Sequence, residues 1–309
     1  IANDIAKATD GRLIIDHFAG GEIVPPYEVF DAVRDGTAQC GYDAPYYWIA
    51  KHKAIPFFCT VPGGMTGYEL FAWIVHGGGQ KLWDELYADF NLKSFPAGNT
   101  GVQMGGWFQK EINTIEDLKG LKMRIPGLGA EVMNRLGVTA VNMPAGEIMP
   151  ALQQGVIDAT EWVGPWADLA FGFYKIAKYY YGPGVHEGGS GTELVMNKES
   201  WDSLDEDIKH IVKMVCHKNA FYGYTQFFTR NAESLKVLVA DYNVDIRNFP
   251  QNVISTMHKI SREVVEEIAK EGELHNRIYT SWKSFFDQSV DYQKYSDFGF
   301  MKDREAANS

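Results

Sequence analysis

No apolar run in the sequence approaches the 18 uninterrupted residues that a membrane span requires. The longest stretches are interrupted, as Tyr42–Ala50 is by Asp43 and Pro45. Lys/Arg clusters are missing too, and the formal net charge is −11. That excludes the positive footprint of a nucleic-acid binder and disfavours an anionic membrane surface. An anionic ligand would need a local device to overcome the same field. There are only three cysteines, Cys40, Cys59 and Cys216. They lie far apart with no CxxC and no zinc-ligand spacing, so three buried thiols are expected rather than a disulfide framework. His186-Glu187 lacks the second histidine of a zinc helix, no G-x-S-x-G elbow occurs, and no cysteine has a nucleophile's context. His186 therefore reads as a loop histidine making structural hydrogen bonds. The first residues lack a basic, then apolar, leader pattern. Ile1–Gly11 reads as the later part of a helix closing on Gly11, so a processed leader and a first strand are expected ahead of Ile1.

What is present is a folded chain. Of 309 residues, 45% are hydrophobic and 14% aromatic, far too many for disorder, and the length favours two domains. Strands and helices alternate through the first two-thirds. Arg12–Phe18 reads as a strand and Pro26–Asp35 as a helix. Helical periodicity runs from Thr66 to Phe90 across the Gly77-Gly78-Gly79 turn, before a short strand at Leu92–Phe95. Strands follow at Gly101–Phe108, Leu121–Ile125, Val138–Met143 and Ile157–Val163. Helices at Gly129–Leu136 and Ala145–Gln154 separate them. This rhythm implies a largely parallel sheet with helical crossovers. Gly191–Asn197 reads as a long strand that could cross back to the first block. From Trp201 the pattern is helical: one long helix capped by Asp202 or Ser203 and running past Thr229, then Val253–Ala269 and about Leu274–Val290. A partner surface, such as a second copy, is expected for these helices.

Several residues invite a chemical reading. Arg124 ends a strand just before Pro126-Gly127, where open α/β sheets place their ligands. A planar guanidinium there could clamp a carboxylate, although a solvated strand arginine is the plainer reading. Glu161-Trp162 also ends a strand. A carboxylate flanked by Trp and strand apolars will be partly buried, and it then needs Arg124, a metal ion, a donor or a proton. Gln103 lies on the polar side of Val102 and Met104 and could offer a neutral oxygen. Tyr46 and Tyr47 follow a strand end and could line a cleft. Gly127-Leu128-Gly129 lacks the third glycine and the acid of a dinucleotide loop, and reads as a tight strand-to-helix turn.

Longer runs carry a resemblance. Met143-Pro144-Ala145-Gly146-Glu147-Ile148 and Ala151–Pro165 resemble the solute receptors of tripartite ATP-independent periplasmic (TRAP) transporters. So do Gly20–Pro26, Leu118–Arg124 and Phe173–Tyr181. Glu161-Trp162 and Asn99–Trp107 are similar to the branch that binds 2-oxo monocarboxylates and lactate. The match runs in order through nearly the whole chain. It departs at Val185-His186-Glu187-Gly188, where the family pattern has a Trp before the His and a Pro after the Glu. The resemblance implies an α/β, two-lobed periplasmic binding protein (type II-like) with hinge strands and long C-terminal helices, and no catalysis. Lobe I would hold residues 1–100 plus about 190–230, and lobe II about 101–189 plus about 231–250. The helices of 251–309 would dimerise. It implies a small monocarboxylate, pyruvate-like or lactate, held by Arg124 with Gln103, Trp162, Tyr46, Tyr47 and Asn99. A bridging Na⁺ or Ca²⁺ would be held by Glu161, the Trp162 carbonyl, Gln103 and Glu187. Hinges are expected around 99–103 and 189–193. The partners implied are TRAP membrane subunits and a second copy of the chain. A ligand-presenting receptor for a sensor, and a metal-assisted enzyme acting on a 2-oxo acid, are the alternatives.

Overall fold

Nine short strands build two separate sheets among the described residues. The computed structural model describes residues 1–307. In chain order the helices are α1 (Ala2–Ala8), α2 (Val29–Arg34), α3 (Gly67–His76), α4 (Gly79–Ala88), α5 (Gly127–Arg135), α6 (Ala145–Gln153), α7 (Pro165–Phe171), α8 (Lys198–Asp202), α9 (Glu206–Ala240), α10 (Gln251–Ile268), α11 (Glu273–Gln293) and α12 (Asp297–Ala306). The strands are β1 (Cys40–Asp43), β2 (Leu92–Asn99), β3 (Gly106–Phe108), β4 (Lys122–Arg124), β5 (Thr139–Val141), β6 (Ala159–Thr160), β7 (Tyr179–Tyr181), β8 (Gly191–Asn197) and β9 (Asp245–Arg247).

One sheet has the order β1-β8-β2, antiparallel throughout, with Asp43 opposite Glu193 and Asn99 opposite Gly191. The other has the order β5-β4-β6-β3-β7-β9. Its β5-β4-β6 part is parallel, as a β-α-β-α-β rhythm requires. However, β3 runs antiparallel to both β6 and β7, so the sheet is mixed rather than largely parallel. Two extended segments join the sheets, residues 100–105 after β2 and 182–190 before β8. The third connection is α9. Ile208, Val212, Val215 and Cys216 pack with Phe95 and Leu194 of the first sheet, while Leu238 packs with Trp107 and Tyr180 of the second.

Local chemistry explains most element ends. Thr66 caps α3 in a capping box with Glu69. α1 stops at Ala8, and Gly11, at φ 77°, returns its N–H to the Ala6 carbonyl. α9 begins near Asp205 as expected, but its N-cap is Asp205 itself rather than Asp202 or Ser203. Arg12–Phe18 is not a strand. Leu13 and Ile15 face the core while Ile14 is exposed, so the alternation is real, but no neighbouring strand pairs with it. Only Gly106–Phe108 of Gly101–Phe108 and Ala159–Thr160 of Ile157–Val163 are laddered strand: Gln103 and Met104 bond to loop carbonyls of Glu187 and Val163, while Asp158 and Glu161 make single bonds to β4 at Lys122 and Arg124. α10 and α11 are no appendage: Val253, Met257, Val264, Ile278 and Trp282 are buried in the largest core with Phe57, Trp73 and Met123. All three cysteines are free, with Cys40 only half-buried.

Candidate functional site

The parallel strands β4 and β6 bring two charged residues together at their carboxyl ends. Arg124 is opposite Thr160, and the N–H of Glu161 donates to the Arg124 carbonyl at 2.9 Å. The Arg124 side chain is 1% exposed, so it is no solvated strand arginine. Its Nη1 donates to the main-chain carbonyl of Glu161 at 2.9 Å, while the Glu161 carboxylate stands 3.5 Å away. The guanidinium carbon lies 4.9 Å from the centre of the Trp162 ring, a cation–π stack. Nη2 makes only a long 3.4 Å contact to the Tyr47 hydroxyl, and Nε has no partner. The Nε–Nη2 edge is therefore uncommitted, and it is an edge on which a guanidinium takes a carboxylate through two parallel bonds.

A 3₁₀ turn after β1, Pro45–Trp48, delivers Tyr46 and Tyr47 to this edge. Their rings meet edge-on at 4.7 Å, and Tyr27 packs on Tyr47 at 5.3 Å. Burial pushes the Tyr46 phenol well above its ordinary range and that of Tyr47 up to about 12. These rings act as neutral walls, not as bases.

The second half of the site is acidic and short of partners. Glu161 is 0% exposed and neither carboxylate oxygen has a hydrogen-bond donor. Burial drives its carboxyl well above the usual range, against the pull of Arg124. Glu187 arrives on the 182–190 segment, which is tied to 100–105 by main-chain bonds from Gln103 N to Glu187 O (3.1 Å) and from Gly184 N to Gln103 O (2.8 Å). Gly184 is required there, since a Cβ would stand 2.9 Å from both His186 Cε1 and the Met104 carbonyl. Burial, with the charge of Glu161 next, raises the Glu187 carboxyl to about 7. Ser190 Oγ donates to Glu187 Oε2. His186 Nε2 lies 3.5 Å from Glu161 Oε1 and 3.9 Å from Glu187 Oε1, and also has no partner. Burial lowers its pKa, keeping the imidazole neutral.

Gln103 completes the group. Val102 is half exposed and Gln103 is 2% exposed, so the glutamine faces inward, opposite to a solvated polar edge. Thr100 Oγ1 donates to the Gly101 carbonyl, so it can only accept from Gln103 Nε2, at 3.0 Å. That fixes the carboxamide and leaves Gln103 Oε1 buried with no donor. Both Glu161 oxygens, His186 Nε2 and the Arg124 Nε–H are thus partnerless and buried together, and Gln103 Oε1 is partnerless on the adjoining 100–105 segment. Unpaired buried polar groups are costly, and three of these four residues carry oxygen or nitrogen lone pairs. This donor set fits a cation.

Asn99 stands apart. Its side-chain oxygen accepts from Gly101 N at 2.8 Å and packs on Gly67, holding the turn after β2. Three residues join the site without a sequence signal of comparable strength. Tyr27 lies within the influence of Arg124. Asp168 accepts from Trp107, Tyr180 and the N–H groups of Val163 and Gly164, and so anchors the turn that follows Glu161-Trp162. His186, a loop histidine by sequence, makes no hydrogen bond through Nε2. Its proximity to Glu161 depends on the pairing of segments about 80 residues apart.

Known proteins show what kind of molecule carries this site. Residues 1–271 match the family described as bacterial extracellular solute-binding protein, family 7 (DctP). The chain belongs to this family. Its members are the solute receptors of TRAP transporters, and they are receptors rather than enzymes. The receptor is 40% identical over 300 residues to the monocarboxylate 2-oxoacid-binding periplasmic protein of Nostoc sp., covering 97% of this chain and 82% of that one. It superposes on a TRAP periplasmic solute-binding protein of Pseudoalteromonas atlantica, solved with sodium and pyruvate, with a TM-score of 0.94 at 41% identity, covering 97% and 92% of the two chains. The TRAP solute-binding protein of Bordetella bronchiseptica, a dimer with calcium and picolinate, gives 0.96 at 34% identity, covering 99% and 91%. The two-lobed α/β architecture with long C-terminal helices is shared with these structures. Among the described residues, no helix is long and apolar enough to cross a membrane.

Proposed function

We propose that this receptor captures a small 2-oxo monocarboxylate, pyruvate being the simplest, and delivers it to the membrane subunits of a TRAP transporter. The ligand carboxylate takes the free Nε–Nη2 edge of Arg124. Na⁺ or Ca²⁺ is held by Glu161, Gln103, Glu187 and the main-chain carbonyl of Trp162, all hard oxygen donors. A bound cation supplies the positive charge that turns repulsion between Glu161 and an anionic ligand into attraction. Tyr46, Tyr47 and Trp162 cover the short apolar tail and exclude water. The observation that carries this reading is the cluster of buried, partnerless donors beside a half-free guanidinium. Pyruvate and picolinate, bound by the two structural relatives, both set a second donor atom next to the carboxylate, as chelation requires.

Capture by closure needs two lobes and a hinge. Lobe I consists of residues 1–100 plus about 190–230, and lobe II of about 101–189 plus about 231–250. The joining segments, 99–103 and 189–193, carry Gln103 and follow directly on Glu187, so lobe closure and completion of the cation group are one movement. Asn99 serves that hinge rather than the ligand. A homodimer through the C-terminal helices accounts for the exposed Tyr295, Phe298, Phe300 and Met301.

A ligand panel tests the reading. In Ca²⁺-containing buffer, pyruvate should quench or shift tryptophan fluorescence, and propionate, which lacks the 2-oxygen, should bind at least about 100-fold more weakly. Equal affinity for propionate would remove the chelate from the account.

A further inference from the structure

We infer that His186 is a fourth side-chain donor at the cation site, beside Glu161, Glu187 and Gln103, and that its imidazole opens the site to borderline transition dications such as Mn²⁺, Co²⁺ and Zn²⁺. The inference rests on the cation-bridged reading above and extends it to a nitrogen donor. One ligand atom each from Glu161, His186 and Glu187 lies within 4.8 Å of the others. The individual separations from Nε2, 3.5 and 3.9 Å, are those of atoms sharing one ion: bonds of about 2.1–2.4 Å at tetrahedral or octahedral angles set neighbouring donors about 3–4 Å apart.

The imidazole does not act as an orienting hydrogen-bond donor. An N–H directing Glu161 would reach about 2.9 Å, and 3.5 Å leaves both atoms unsatisfied. Nor is it free to turn to solvent, since the residue is 9% exposed. A Cβ at Gly129 would already crowd its Cβ at 3.1 Å, so α5 backs the ring, and the Gly184–Gln103 bond fixes the loop that carries it. The Arg124 guanidinium faces the same space from β4, and Ser190 holds the far oxygen of Glu187. Two carboxylates and an amide oxygen suit a hard cation, and the added imidazole nitrogen is a ligand that first-row transition dications take and Ca²⁺ or Na⁺ do not seek.

The test uses the full chain stripped by chelator, with Ca²⁺ and Co²⁺ as separate probes and His186→Gln as the variant. The wild type should bind Co²⁺ more tightly than Ca²⁺. In the variant, Co²⁺ affinity should fall at least about tenfold while Ca²⁺ affinity changes by less than about threefold. Equal losses for both ions, or no loss for either, would overturn the assignment. Should the variant misfold, the wild type alone decides: pulsed electron spin resonance of the Mn²⁺-loaded protein should carry modulation from a directly bonded imidazole nitrogen, and its absence would refute the ligand role. Pyruvate binding in Ca²⁺ is measured alongside. Its failure counts against the receptor reading, whereas the cobalt and manganese results bear on His186 alone.

Discussion

At the scale of the residue, the site depends on one guanidinium divided between two tasks. Nη1 is spent on the Glu161 carbonyl, and the Nε–Nη2 edge is the one the proposed ligand carboxylate would take. Arg124→Lys preserves the charge beside Glu161 but cannot do both. Pyruvate affinity should fall at least about tenfold with the fold intact by circular dichroism. Unchanged affinity would remove the clamp. Arg124 and Glu161 were legible in the sequence because strand ends followed by Pro or Gly mark ligand edges of α/β sheets, and burial of an acid between Trp and β-formers could be argued from its neighbours. The inward turn of Gln103 was not legible. Strand alternation placed it on a polar face, but residues 101–105 belong to no ladder, and Thr100 decides where the carboxamide points. His186 was missed for a similar reason. It sits in a glycine-flanked loop without regular periodicity, and the carboxylate it meets, Glu161, follows β6 25 residues earlier.

At the scale of the element, β1 and β8 carry a second buried acidic pair. Asp43 and Glu193 are opposite each other in register. Trp48 Nε1 donates to Asp43 at 2.9 Å, Tyr87 to Glu193 at 2.9 Å, and Ser94 to the other Glu193 oxygen. Burial raises Asp43 to about 6 and Glu193 further. Because these folded-state values lie above the unfolded ones, the penalty is absent below about pH 4. It grows as pH rises through about 6, where Asp43 ionises. Asp43→Asn removes one of the two charges while keeping an acceptor for Trp48. Its melting temperature should therefore gain on the wild type between pH 5 and pH 8, by a few degrees for a change on the order of 2 kcal/mol. Parallel curves would show that the pair holds no extra proton. The rung leads directly into the Pro45–Trp48 turn, so the same measurement reports on the support of Tyr46 and Tyr47. Helix bounds were largely readable from periodicity and capping, as α3 and Gly191–Asn197 illustrate for helix and strand. Short strands were not, because β3, β6 and β7 are defined by which partners they find. Arg12–Phe18 has a strand's alternation and no partner.

At the scale of the whole molecule, the C-terminal helices divide into two parts. α10 and α11 fill the main core with Val253, Met257 and Trp282, whereas α12 exposes Phe298, Phe300 and Met301. Ending the chain after Ser296 should leave a folded monomer by sedimentation, where the proposed dimer predicts twice that mass for the full chain. A truncated chain that still dimerises would move the interface elsewhere, and ending the chain before α10 would unfold it. The resemblance along the whole sequence gave the architecture because an ordered series of short motifs constrains a fold more than any one site does. The position of the two sheets around the acidic cluster came only from the joined segments. The central claim is that ligand and cation bind as one unit, and calorimetry tests it most directly. Pyruvate is titrated into chelator-stripped receptor in a choline buffer, then again after Ca²⁺ or Na⁺ is restored. Micromolar or tighter binding, on the order of −8 kcal/mol, should return only with the cation. Equal binding in the cation-free buffer, or none in any buffer, would contradict the account.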